Sequence, residues 1–219
     1  MSSDTQPVSI REARNDILAE IGAGVTLVAA SKRQRDERID AALAAGQRVF
    51  GENRVQEAQA RWADRRSKLV DLKLRLIGPL QTNKVIDAIQ LFDVIETLDR
   101  TKLLRALVKA IDKTTATPPD LLIQVNTGNE PQKGGVNVNE LSVLIAATRD
   151  EYPGRLVGLM CIPPADEPAA PHFALLKRLA ETHDLDQVSM GMSSDYAMAA
   201  RIGATHVRVG TALFGARAT

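Results

Sequence analysis

Short apolar and β-branched runs alternate along the chain with longer stretches in which apolar positions return every three to four residues. The runs are 25–30 "VTLVAA", 48–50 "RVF", 74–77 "LRLI", 92–96 "FDVIE", 121–126 "LLIQVN", 156–161 "LVGLMC", 187–190 "QVSM" and 205–209 "THVRV". Each has the length and composition of a strand. The longer spacing predicts an opening amphipathic helix from Ile10 to Ile21, then helices at 36–45, 53–66, 82–90, 100–113, 138–150, 169–183 and 194–203. Strand followed by helix, repeated about eight times, is the pattern of parallel strands joined by crossover helices, and eight such units close a (β/α)8 TIM barrel. An open doubly wound sheet is the competing architecture. Eight parallel strands in 219 residues, with no inserted domain, favour closure. Pro and Gly cluster between units, as at "TPPD" (117–120) and "NTGNEPQKGG" (126–135), without forming a long linker. One domain over 1–219, with no repeats, is expected.

Composition narrows the function classes. The 28 basic residues nearly cancel the 27 acidic ones, so no bulk charge draws the chain to nucleic acid or an anionic membrane, and any anion must be held locally. "MSSDTQPVSI" has neither the basic start nor the apolar stretch of a secretory leader, and no later run reaches spanning length. With a single cysteine, Cys161, this points to a cytoplasmic protein and to a thiol serving the core. His172, His183 and His206 are scattered without partners at ligand spacing, so no metal is expected.

In such a barrel the loops after the strands carry the chemistry. Here they hold Lys32, "GEN" (51–53), "GPLQTNK" (78–84), Glu96, Asn126, "CIPP" (161–164), "GMSSD" (191–195) and "GTALFG" (210–215). A lysine with its stem in an apolar mouth loses charge stabilisation, and its neutral amine becomes able to attack a carbonyl. A strand-end lysine snorkelling into water is the alternative. Ser193 and Ser194 open one helix and Gly210 and Thr211 another, so two adjacent turns offer backbone N–H groups and hydroxyls to a phosphate; singly, each is only a cap. Alternation in "THVRVG" points His206 and Arg208 into the barrel, where Arg208 meets a buried carboxylate such as Glu96 or a ligand atom. A carbonyl for Lys32, a phosphate for the two turns and a ring nitrogen for Arg208 together describe pyridoxal 5′-phosphate. Lys32 is then the Schiff-base lysine.

The stretches "VAASK", "GQRVFGENRVQEA", "LIGPLQTNK", "LIQVNTGNEPQKGG", "GLMCIPP" and "SMGMSSDYAMAARIGATHVRVGTALFG" resemble the pyridoxal-phosphate homeostasis proteins, the YggS or proline synthase co-transcribed family. The resemblance spans Leu27 to Arg217 and is specific as a set. It implies the fold-type III barrel of the alanine racemase N-terminal domain. It also implies Lys32 as the Schiff-base residue, Ser193 or Ser194 with Gly210 and Thr211 on the phosphate, Arg208 against the pyridine nitrogen, and Asn53 near the ring. Family members are cytoplasmic, mainly monomeric carriers or regulators of the cofactor, and apo-enzymes that use it are the expected recipients. Two departures stand out. The family usually has a histidine where this chain has Arg75, which bears on packing at the barrel mouth, and its "KSG" is here "KGG" (133–135), which bears on how Lys133 is presented.

Lys84 and Lys133 also lie in mouth loops, either as solvated lysines or as acceptors of a transferred aldehyde. A racemase needs a second base, which in the alanine racemases is a tyrosine from an additional domain. This chain has no such domain, and Tyr152 and Tyr196 fall in helical stretches, so binding without efficient turnover is expected. The alternative is a weak amino-acid racemase or a phosphosugar lyase working through Lys32.

Overall fold

In the computed structural model, which describes residues 9–215, the first helix begins on a complete capping box. The Ser9 hydroxyl accepts from the Glu12 N–H, the Glu12 carboxylate takes the Ser9 N–H, and α1 (Ile10–Ile21) follows. The units then run β1 (Thr26–Ala30), α2 (Asp36–Ala44), β2 (Val49–Glu52), α3 (Val55–Lys68), β3 (Lys73–Leu76), α4 (Val85–Leu91), β4 (Val94–Leu98) and α5 (Thr101–Ile111). The second half is β5 (Asp120–Asn126), the two-residue β6 (Val136–Asn137), α6 (Leu141–Glu151), β7 (Leu156–Met160), α7 (Ala169–Thr182), β8 (Gln187–Ser189), α8 (Tyr196–Ile202), β9 (His206–Val209) and α9 (Thr211–Phe214). The N-terminal decapeptide that lacks a leader pattern, apart from Ser9 and Ile10, and the last four residues lie outside the described part.

All strand pairings are parallel, in the order β4-β3-β2-β1-β9-β8-β7-β5, and β4 pairs with β5 to close an eight-stranded barrel. The short β6 only extends the edge of β5 at Asn126. α1 packs on α2, α8 and α9 and is additional to the barrel's own units. No helix among the described residues is long and apolar enough to cross a membrane.

The two-residue period of each strand divides the core. Leu27, Ala29, Val207 and Val209 face the helices and join the main apolar cluster with Phe50, Trp62, Leu74 and Leu104. The other parity fills the barrel. Val94, Leu122 and Met160 form a small apolar cluster there, while Arg75, Glu96, Ser189 and Arg208 are buried in contact with one another. A TIM barrel interior is a packed core rather than a pore, so these charges must satisfy each other.

Two expectations need correction. β4 runs from Val94 to Leu98, because Phe92 still closes α4 through its N–H to Ala88 O. Glu96 is therefore in mid-strand and fully buried, and it does not stand in a mouth loop. Arg75 lies within β3 and pairs with Glu96 inside the barrel, away from the mouth that carries Lys32.

Candidate functional site

β1 ends at Ala30, and the chain turns at once: Ser31 N–H donates to Gly51 O, Gln34 N–H returns to Ser31 O, and Arg33 takes a left-handed φ of 57°. Arg61 of α3 clamps this turn, donating from Nη1 to Ser31 O (3.2 Å) and from Nη2 to Gln34 O (3.1 Å). Glu52, fully buried, holds Arg61 in place (2.9 Å) and accepts from Ser31 Oγ and Trp62 Nε1, each at 2.8 Å. Lys32, half-buried, is thus carried on a turn pinned at both ends. Ser31, Glu52, Arg61 and Trp62 do this positioning, and nothing in their spacing announced it.

After β8 and β9 the chain makes two adjoining turns. The Ser193 hydroxyl accepts from the N–H groups of Gly210 and Ala212, both at 3.2 Å, and so ties the seventh loop to the start of α9. Asp195 Oδ1 accepts from Met192 N–H at 2.6 Å and shapes the seventh loop. Gly191 has φ 90°, and a Cβ there would come within 2.5 Å of the Ala199 Cβ, so the turn requires glycine. The backbone N–H groups of Ser194 and Thr211 have no hydrogen-bond acceptor among the described residues.

Arg208 reaches up from inside the barrel. Nη1 donates to Ser189 Oγ and Nη2 to Cys161 O, each at 2.8 Å, and Nη1 lies 4.0 Å from Glu96. The carboxylate and ligand readings of Arg208 are therefore compatible: it is balanced from below by Glu96 and still lines the upper cavity. Burial alone would raise the Glu96 carboxyl, but Arg75, Arg208 and the Ser189 hydroxyl outweigh it and hold the group below the ordinary carboxylate value.

All seven residues singled out from the sequence, Lys32, Asn53, Ser193, Ser194, Arg208, Gly210 and Thr211, line one cavity of 290 Å³ at the C-terminal mouth. Ala30, Gln34, Ile77, Ile162 and Met192 complete its wall; Ile162 and Met192 come from mouth loops read from the sequence, whereas Gln34 was not anticipated. Asn53 is pressed into place by the loop after β3, where a Cβ on Gly78 would sit 2.2 Å from Asn53 O. Its side-chain Oδ1 is buried without a partner among the described residues.

Other candidates fall elsewhere. Lys133 pairs with Glu130 (2.7 Å), and Lys84 lies 3.8 Å from Asp87 in a neighbouring depression. Asn126 exchanges hydrogen bonds with the Glu130 backbone, which shapes the loop. Tyr152 donates to Pro119 O and Tyr196 to Glu20 of α1, so neither hydroxyl faces Lys32. Cys161 is buried, and burial pushes its thiol up to about 12 despite the nearby Arg208. His172 contacts Glu167 and His183 contacts Ser142.

Comparison with known proteins assigns the fold and the family. The alanine racemase, N-terminal domain family matches residues 20–218. The pyridoxal phosphate homeostasis protein of Pseudomonas aeruginosa is 41% identical over 203 residues, covering 89% of this chain and 86% of its own. That of Escherichia coli K12 is 37% identical over 204 residues, with 88% and 86% covered. The chain belongs to the pyridoxal phosphate homeostasis family. A solved structure of similar architecture is that of PipY of Synechococcus elongatus with PLP bound, at a TM-score of 0.86 and 35% identity, covering 94% of this chain and all of that one. Alanine racemase of Corynebacterium glutamicum shares the fold at a TM-score of 0.71 and 16% identity, with 96% of this chain matching 61% of that one.

In this member of the pyridoxal phosphate homeostasis family, His206 is buried within the electrostatic reach of the same ion cluster. Burial lowers its pKa to about 4, with Arg75 adding to the effect, Glu96 opposing it and Arg208 adding the smallest share. Below the ordinary value of 6.5 the unfolded chain takes up a proton that the folded chain refuses, so stability is lost as pH falls from 6.5 towards 4. Denaturant unfolding is expected to show about 2 kcal/mol less stability at pH 5 than at pH 7, and His206→Gln should remove most of that difference. An unchanged slope in the variant would place the titration elsewhere.

Proposed function

We propose that this chain binds pyridoxal 5′-phosphate in the upper cavity and serves to store, deliver or sense the cofactor, without efficient turnover of its own. The observation that carries the reading is the gathering, around one 290 Å³ space, of an amine, a fixed guanidinium, two Ser/Thr-bearing turns and an unpartnered buried amide oxygen. That donor set fits the cofactor group by group, and the volume lies near the small end for ligand sites.

When bound, the cofactor supplies an aldehyde that condenses with a primary amine and a ring that can draw electrons from what is attached. Lys32 is the primary amine of the cavity wall and would hold the aldehyde carbon. Ser194, Thr211 and the N–H groups of their turns would hold the phosphate, with Ser193 tying the two turns together and Gly210 keeping the approach clear. Asn53 Oδ1 would accept from the ring's hydroxyl group. Arg208 would face the ring nitrogen; a guanidinium does not give up its proton, so it would leave that nitrogen unprotonated and the ring a weak electron sink.

Neither Tyr152 nor Tyr196 lines the cavity, and the second charged side chain in its wall, Arg208, keeps its proton and makes a poor base. This supports a carrier over a racemase. We place the chain in the cytoplasm as a monomer, handing the cofactor to apo-enzymes that use it. The test is to saturate the full chain with the cofactor, record its visible spectrum, reduce with borohydride and map the peptides. The expected result is one modified peptide, carrying Lys32. Modification elsewhere, or none, defeats the proposal, and α-deuterium exchange into an added amino acid at ordinary enzymatic rates would defeat the carrier reading and favour a racemase.

A further inference from the structure

The opposite mouth of the barrel, at the N-terminal ends of the strands, opens into a larger cavity of 730 Å³ that includes none of the seven upper-site residues. Arg75, Gln187 and His206 lie in its lining, together with Arg66, Lys73 and Asp93. Arg75 is thereby shared between this cavity and the buried cluster whose other arginine, Arg208, lines the upper site.

Charge does not balance here. Arg66, Lys73 and Arg75 line the cavity with Arg208 behind them, and the carboxylates facing these four cations are Asp93 and Glu96. Both carboxylates are ionised. Burial opposes the charge on Asp93, but Arg66, the Leu74 N–H and Lys73 hold its pKa below the ordinary value. Arg155 is matched separately by Asp120, and Asp184 and Asp186 line an adjoining depression beyond it. The inner group therefore carries two surplus positive charges, against a net charge of +1 for the whole chain.

Two groups in the lining also retain an N–H. Arg75 Nε donates to Glu96 and Nη2 to Gln187 Oε1 at 3.1 Å, while Nη1 has no acceptor among the described residues although the residue is 5% exposed. Thr205 Oγ1 accepts from the Val188 N–H, and its own proton has His206 Nδ1 at 2.8 Å or Val188 O at 3.3 Å. The shorter contact makes Nδ1 the acceptor and puts the ring proton of the neutral histidine on Nε2, which has no partner among the described residues.

We propose that this lower mouth binds the oxyanion of a small organic acid, a carboxylate or a phosphate monoester, between Arg75 Nη1, His206 Nε2 and Lys73. An oxyanion there satisfies two directed donors and cancels the local surplus. The apolar side chains of Phe92, Val94 and Pro118 line the same space and suit the carbon body of such a ligand. The site is independent of the proposal for the upper cavity.

The experiment follows the His206 ring by NMR against pH in the full chain, at constant ionic strength, with and without inorganic phosphate and, separately, acetate. A bound anion is expected to raise the His206 pKa by about one unit or more. Lys73→Ala, at a side chain 61% exposed, should weaken the apparent affinity about tenfold, and Arg75→Met, which leaves Glu96 matched by Arg208, should abolish the response. Response to phosphate alone assigns a phosphate ligand, and response to acetate assigns a carboxylate. A His206 pKa that neither anion moves, or a response indifferent to Lys73→Ala as expected of an anion in the upper cavity, overturns the proposal.

Discussion

Glu96→Gln is expected to cost about 3–5 kcal/mol of folding stability, because it leaves two buried guanidinium groups facing each other with no carboxylate between them. Arg75 and Arg208 are 5% and 4% exposed, and Glu96 is not exposed at all, so solvent cannot take over its role. Arg75→Met should cost less, since the remaining Glu96 and Arg208 balance one to one. That ranking is the sharper part of the prediction. Thermal unfolding of both variants checks it, with a fall in Tm on the order of 10 °C for Glu96→Gln. Equal shifts would mean that packing, rather than charge, dominates inside the barrel.

Lys32→Ala is expected to weaken cofactor binding by on the order of a hundredfold or more, equivalent to about 2.7 kcal/mol, and to remove any spectral change on adding borohydride. Lys32→Arg separates charge from chemistry. It keeps a cation on the turn but removes the amine that condenses with an aldehyde, so it should bind the phosphate and remain unmodified. Equilibrium dialysis gives the affinity and peptide mapping the modification. Modification of Lys84 or Lys133 in the Lys32→Ala protein at wild-type affinity would move the covalent site to the rim.

Much of the barrel was legible because its strands obey a local rule. "VTLVAA" is apolar and β-branched between a glycine and a polar turn, and β1 appears within one residue of the run. α1 has the bounds read from its spacing, fixed by its capping box. The upper site was legible for the same reason: once strand ends are known, the fold itself carries Lys32, Ser193 and Thr211 to one mouth. The run 48–50 places "GEN" (51–53) in the loop after β2, but the strand continues through Gly51 and Glu52, residue types that disfavour strands. Tertiary contacts override this. A Cβ on Gly51 would meet Ile77 at 2.8 Å, and Glu52 is neutralised by Arg61 and tied by Ser31 and Trp62. β6 is too short to leave a periodic signal. The lower cavity draws on strand beginnings and helix-side residues from Thr26 to His206, for which no sequence spacing exists to be read.

The pairing of β1 with β9, in which Thr26 meets His206 and Ala29 meets Val209, has a consequence for how the protein is made. A nascent chain leaving the ribosome presents one side of β1 as an open edge until β9, the last strand among the described residues, has been synthesised. Lys32 acquires its neighbours Gly210 and Thr211 only at that point. Retention of a ligand in the upper mouth therefore requires that β9 has joined β1, and a product terminated before residue 206 can be sorted from a chain that carries β9 by its inability to retain one.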